Sequence, residues 1–115
     1  MATKYSVQPI PLQEFDISLL TKSFQALNKE GLERPCYIIR LINDSNRCVM
    51  VSYDGRTVHD VVRAEREVEI RGSSQLDLHH MGVGFMPPET ILYVKGSPGG
   101  SGTLYLAGYY FMPGR

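Results

Sequence analysis

The chain has 115 residues, 43% of them hydrophobic, with 12 basic and 12 acidic side chains that leave no formal net charge. This is the size of one compact domain with enough apolar material for a core, which excludes a globally disordered chain. The neutral balance offers no electrostatic handle for specific nucleic-acid binding or for an anionic membrane, and no apolar run approaches the ~20 residues needed to span a bilayer.

Arginine outnumbers lysine eight to four, and there are seven tyrosines. Protein interfaces favour Tyr and Arg and are poor in Lys, so the composition leans towards an assembly component. The start, Met-Ala-Thr-Lys, has no apolar core of a signal peptide, so Cys36 and Cys48 are expected to be reduced thiols of a protein made in the cytoplasm.

Residues 1–15 read as an extended arm or edge strand, because Pro9 and Pro11 cannot donate to a sheet ladder. The arm packs either on its own domain or on a neighbouring subunit, with Tyr5, Pro9 and Pro11 as its contact residues. Residues 16–115 read as a single domain. In Asp16 to Asn28, Ile17, Leu20, Phe24 and Leu27 fall at helical spacing, with Asp16 able to cap and Gly31 able to stop. Ser18, Thr21 and Ser23 weaken that helix, and the same stretch also works as a strand.

From Pro35 the alternation is clearer. In "CYIIRLIN", Tyr37, Ile39 and Leu41 share one face while Ile38, Arg40 and Ile42 share the other. Asn43, Asp44, Ser45 and Asn46 then form a polar knot of turn-forming side chains, and "RCVMVSY" reads as the return strand of a hairpin that would place Cys48 near Ile42. Asp54-Gly55 marks a second turn, and Tyr53 offers an aromatic body with a polar tip for a packing corner. "REVEIRG" alternates Val68 and Ile70 with charged residues, giving one dry and one wet face. "ETILYVKG" and "GTLYLAGYYF" read as a further hairpin joined by Ser97 to Gly102. Short strands broken by 18 Gly and Pro residues predict an all-β fold.

Sites of chemistry are sparse. His59-Asp60 and Asp77-Leu78-His79-His80 are the obvious ligand-type clusters, but neither has the converging spacing of a metal centre. Cys36 and Cys48 sit in or beside apolar strands, no serine lies in a nucleophile elbow, and "SPGGSG" lacks a phosphate-loop lysine. No catalysis, cofactor or metal is therefore expected. The loop Met81 to Glu89 is apolar enough to mark a partner contact through Phe85, Met86 and Pro87, and Tyr109 and Tyr110 are candidates for the same role.

Two segments together resemble small structural proteins of tailed bacteriophages. The first runs through Asn43, Ser45, Asn46, Val49, Val51, Ser52, Tyr53, Asp54, Gly55, His59, Asp60 and Val62. The second runs through Ile91, Tyr93, Val94, Lys95, Gly96, Gly99, Gly102, Tyr105, Leu106, Gly108, Tyr109 and Tyr110. The match covers about two thirds of the chain, and the first 30 residues match only loosely, at "LTKSFQAL". The resemblance implies an antiparallel β-sandwich, jelly-roll-like, with about eight short strands and no catalysis. It implies a virion protein that works by symmetric association, as a capsid decoration or cement protein or as a head–tail neck or collar component. Its partners would be further copies of itself and other virion proteins, such as the major capsid or the portal and neck proteins. It also favours a strand over Leu20 to Leu27. The alternative class is a carbohydrate-binding jelly roll for host-surface glycans, with Tyr53, Asp54 and His59, or Asp77 and His79, as its polar groups.

Overall fold

The computed structural model describes residues 5–71 and 86–113. Among them are nine strands: β1 Tyr5–Pro9, β2 Gln13–Asp16, β3 Gln25–Ala26, β4 Ile38–Ser45, β5 Val49–Ser52, β6 Asp60–Val62, β7 Glu67–Arg71, β8 Tyr93–Lys95 and β9 Gly102–Pro113. All pairings are antiparallel. One sheet runs β1-β9-β4-β7, with β2 also pairing with β9, and the other runs β3-β8-β5-β6.

The pairings nest. β1 and β2 pair with β9, β3 with β8, β4 with β7, and β5 with β6. The chain thus behaves as one long hairpin rolled over on itself, with β4–β9 and β5–β8 contacts closing the two sheets. That is the jelly-roll order of an eight-position, two-sheet sandwich, with β1 and β2 sharing one position.

Alternation explains which residues fill the space between the sheets. Along β4, Ile39, Leu41, Asn43 and Ser45 are buried while Ile38, Arg40 and Ile42 are half-buried on the outside. Val49 and Val51 of β5, Val62 of β6, Val94 of β8, and Leu104 and Leu106 of β9 meet them from their own inward faces. Each fully buried aliphatic side chain contributes on the order of 2 kcal/mol through apolar area removed from water. Alternation also turns Gly108 of β9 inward, where a Cβ would press on Ile10 and on the Cys36 sulfur.

Three expectations are corrected. The stretch Asp16 to Asn28 is neither an α-helix nor a strand over Leu20 to Leu27. Asp16 accepts from the Ser18 amide at 2.9 Å and opens a single 3-10 turn over Ile17–Leu19, and only Gln25–Ala26 is strand. Thr21 and Ser23 bond to each other through side chain and backbone, an alternative to the helical ladder. Ile17 and Leu20 are buried by this turn, so the apolar spacing served the core without a helix.

The second correction concerns Asn43 to Asn46. These residues do not close a hairpin: β4 belongs to the first sheet and β5 to the second. Asn43 and Ser45 are strand residues opposite Leu104 and Gly102, and Ile42 faces Tyr105 and Glu67 rather than Cys48. Third, Ser97 to Gly102 also crosses between sheets, since β8 and β9 lie in different ones. Period-2 alternation is the same whether two successive strands pair or face each other across a core, so sequence periodicity cannot separate the cases.

Candidate functional site

The two sheet-crossing corners lie side by side and interlock. The Asn46 side-chain oxygen accepts from the Ser101 amide at 2.9 Å, the Asn46 amide donates to the Ser101 carbonyl at 3.3 Å, and the Arg47 guanidinium reaches the Pro98 carbonyl at 3.4 Å. Gly100 and Gly102 permit this approach. A Cβ on Gly100 would lie 2.3 Å from Cγ of Arg47, and one on Gly102 would lie 2.3 Å from the Asp44 carbonyl oxygen.

Beneath them Asn43 is fully buried. Its amide nitrogen donates to the carbonyls of Arg47, Val62 and Arg63 at 2.7, 3.0 and 3.2 Å. Ser45 donates to the Asn43 side-chain oxygen and accepts from the Arg47 amide. One side chain thereby satisfies carbonyls on the β4–β5 corner and at the end of β6, joining both sheets.

The second knot, Ser52 to His59, is a hairpin loop joining β5 to β6. Ser52 and Asp54 exchange bonds, and the Asp54 carboxylate also accepts from the amides of Arg56 and Thr57 at 2.7 and 2.8 Å. Those bonds hold its carboxyl well below the usual carboxylate range, the Thr57 amide most and Arg56 and Ser52 next. Gly55 turns the chain at φ +81° and lies against the Tyr93 ring. The Tyr53 hydroxyl donates to Asp60 at 2.7 Å, its amide donates to His59 Nδ1 at 3.0 Å, and the two rings stack at 5.0 Å. Burial, then the Asp60 bond, pushes the Tyr53 phenol well up. Tyr53, Asp54 and His59 each make at least one hydrogen bond within this loop or to the adjoining Asp60. Asp77, His79 and His80 lie outside the described residues.

The candidate contact residues are dispersed. Tyr5 and Pro9 belong to β1, the edge strand of the first sheet, and Pro11 is exposed just after the buried Ile10. Met86 is half-buried and exchanges both backbone bonds with Cys36, which places it in the sandwich rather than on a free loop, while Pro87 is exposed and Phe85 lies outside the described residues. Tyr109 is on the outer face, its hydroxyl accepting from Arg40 at 3.4 Å. Tyr110 is on the inward face of β9: it packs against the core, and the Arg34 guanidinium covers its ring at 5.0 Å.

The sequence reading missed two rows that cross the outer faces. On the second sheet, the Lys95 ammonium sits 4.6 Å over the Phe24 ring, Met50 is opposite Lys95, and Val61 is opposite Met50. Met50 is 38% exposed and Val61 49%. On the first sheet, Glu14, Tyr105, Ile42 and Glu67 are successive cross-strand neighbours. Tyr105 and Ile42 floor an open depression of about 690 Å³ bordered by Asp44, Glu65, Arg66 and Glu67. Arg40 grips Glu67 at 3.0 and 3.1 Å, which lowers the Glu67 carboxyl and raises the guanidinium. Only the strand register reveals these rows, because their members come from four separate segments each.

Among the described residues no group of three or more His, Cys, Asp or Glu side chains converges as a metal site, and no helix is long and apolar enough to cross a membrane. Cys36 is buried, its thiol pushed up by desolvation, and Cys48 is exposed. Comparison with known proteins returns no match: no family model fits the chain, and no curated protein or solved structure is significantly similar to it.

Proposed function

We propose that this chain is a structural protein of a tailed-bacteriophage particle, made in the host cytoplasm and acting by symmetric protein–protein association. On the particle it serves as a capsid decoration or cement protein or as a head–tail neck or collar component. The observation that carries the reading is the coupling of the two resembling segments. Asn43 to Val62 and Ile91 to Tyr110 are distant in sequence, yet together they build the interlocked corners and the strands β4, β5, β6, β8 and β9. The likeness to phage proteins therefore rests on the frame of the fold, in which Asn43, Ser45, Asn46 and Asp54 hold backbone groups.

Association also suits the surface. Apolar side chains stand exposed on an outer sheet face, with Met50 and Val61 adjacent and Val58 42% exposed in the neighbouring loop. The glycan-binding alternative has less support, since Tyr53, Asp54 and His59 are bonded into their turn. The test is the mass of the purified protein by light scattering across a concentration series. A discrete oligomer is expected; a strict monomer at the highest concentration overturns autonomous association.

A further inference from the structure

We infer that copies of this chain associate head to tail, the second sheet's outer face of one copy docking on the first sheet's outer face of the next. Lys22 and Lys95 of the first copy then meet the acid-bordered depression over Tyr105 of the second. This inference rests on the association reading and specifies its geometry.

Charge and exposure carry the argument. Lys22, Met50 and Lys95 line one shallow pocket on the second sheet, and neither lysine is in an ion pair among the described residues. On the first sheet, Asp44 and Glu65 border the depression, and Glu14 flanks Tyr105 from β2. None of these three carboxylates is in an ion pair among the described residues, while Glu67 is held by Arg40. Arg66 is the cation bordering the depression, so the unpaired charge there is net negative. An aromatic ring among carboxylates is a receptor for an ammonium group, and Met50 with Val61 supplies the apolar area that such a contact buries.

The symmetry follows. A two-fold contact sets one face against the same face of its copy, so it gathers like-charged patches and brings neither lysine to the acidic depression, which is costly. The complementary patches lie on opposite outer faces of the sandwich. Joining them is a heterologous contact, which closes into a ring or extends as a stack.

Charge reversal tests this. In a double variant Lys22→Glu/Lys95→Glu both faces are acidic, and in Glu14→Lys/Glu65→Lys both are basic. Each alone should associate about 100-fold more weakly than the unsubstituted chain. Mixed in equal amounts, the two should recover the assembly, as should one chain carrying all four substitutions. Circular dichroism and a melting midpoint within ~3 °C of the parent confirm that each is folded. If either double variant keeps the parent mass, or if neither the mixture nor the fourfold variant recovers it, the head-to-tail geometry is wrong while association itself stands. A parent that is monomeric at every concentration overturns both.

Discussion

The polar knots at Asn43–Asn46 and Ser52–His59 hold similar places in the sequence: each is a stretch of turn-forming residues after an apolar run, Asn-Asp-Ser-Asn in the first and Ser52, Asp54 and Gly55 in the second. In the fold they differ in almost every respect. The first has Asn43 and Ser45 buried, with Asp44 and Asn46 outside, and links two sheets through a donor; the second is largely exposed and ties one loop through an acceptor. The chemistry of each side chain matches the groups that surround it. At the corner, three backbone carbonyls converge, and the Asn43 amide nitrogen satisfies them. At the loop, successive backbone amides converge, and the Asp54 carboxylate satisfies those. Exchanging the two residue types should therefore be ruinous at one knot and mild at the other.

The sharpest break in that comparison is Asn43→Asp. A carboxylate at this position faces three carbonyls with nothing to donate and is buried as a charge. The expected loss is about 4 kcal/mol or more in urea unfolding at pH 7, enough to unfold much of a domain of this size. The sign with pH is distinctive. Burial raises the folded-state pKa of the new carboxyl above its unfolded value near 4, so the penalty is present above that range and shrinks as acid protonates the group. A variant that unfolds no more readily than the parent at pH 7 would mean that the Asn43 amide is not the tie between sheets.

The glycines of the two regions give an intermediate contrast. Gly102 starts β9 opposite Ser45 at φ +118°, and an added Cβ would meet backbone at 2.3 and 2.6 Å. Gly55 also has a positive φ, +81°, but its added Cβ would touch only the Tyr93 ring at 3.5 Å, an ordinary contact. Gly102→Ala should cost about 3 kcal/mol, from conformation and collision together, and Gly55→Ala about 1 kcal/mol, from conformation alone. Chemical denaturation of the pair reads the difference directly. Equal losses would show that the corner backbone gives way and that the interlocking is loose.

The same contrast explains what the sequence made legible. The strands of the frame were readable because alternation is a local property: Ile39 and Leu41 inward, Arg40 outward, Leu104 and Leu106 inward, Tyr105 and Tyr109 outward. The Asp54-Gly55 turn was readable because its bonds span two or three residues. The corner was misread because its partners are remote: Val62 and Arg63 lie 19 and 20 residues away from Asn43, and Ser101 lies 55 away from Asn46. A polar run that continues the strand alternation into the core, as Asn43 and Ser45 do, was the available signal. The outer-face rows were hidden for the same reason, since only register brings Glu14 beside Tyr105 and Met50 beside Val61. The residues between Asp16 and Gln25 misled differently: their apolar spacing was genuine, but Thr21 and Ser23 bond locally and hold the chain out of a helix.

The smallest expected effect completes the comparison. Asp54→Asn keeps a side-chain oxygen that can accept from Arg56 and Thr57, so at pH 7 the melting midpoint should fall by only a few degrees. Its value lies in acid. The Asp54 pKa is lowered on folding, so its contribution is fully present above the unfolded value near 4 and is lost as pH falls through the lower folded one. The amide of the variant has no such titration. The parent should therefore lose stability faster than the variant between pH 4 and pH 2, and the two melting curves should converge there. Asp16 and Glu67 are lowered in the same sense, so the variant's acid slope shrinks without vanishing. Because Asp54 faces solvent, added salt should narrow the gap at neutral pH. If the two proteins lose stability in parallel down to pH 2, the loop's carboxylate bonds do not hold the hairpin, and the contrast between a donor at the corner and an acceptor at the loop fails on its exposed side.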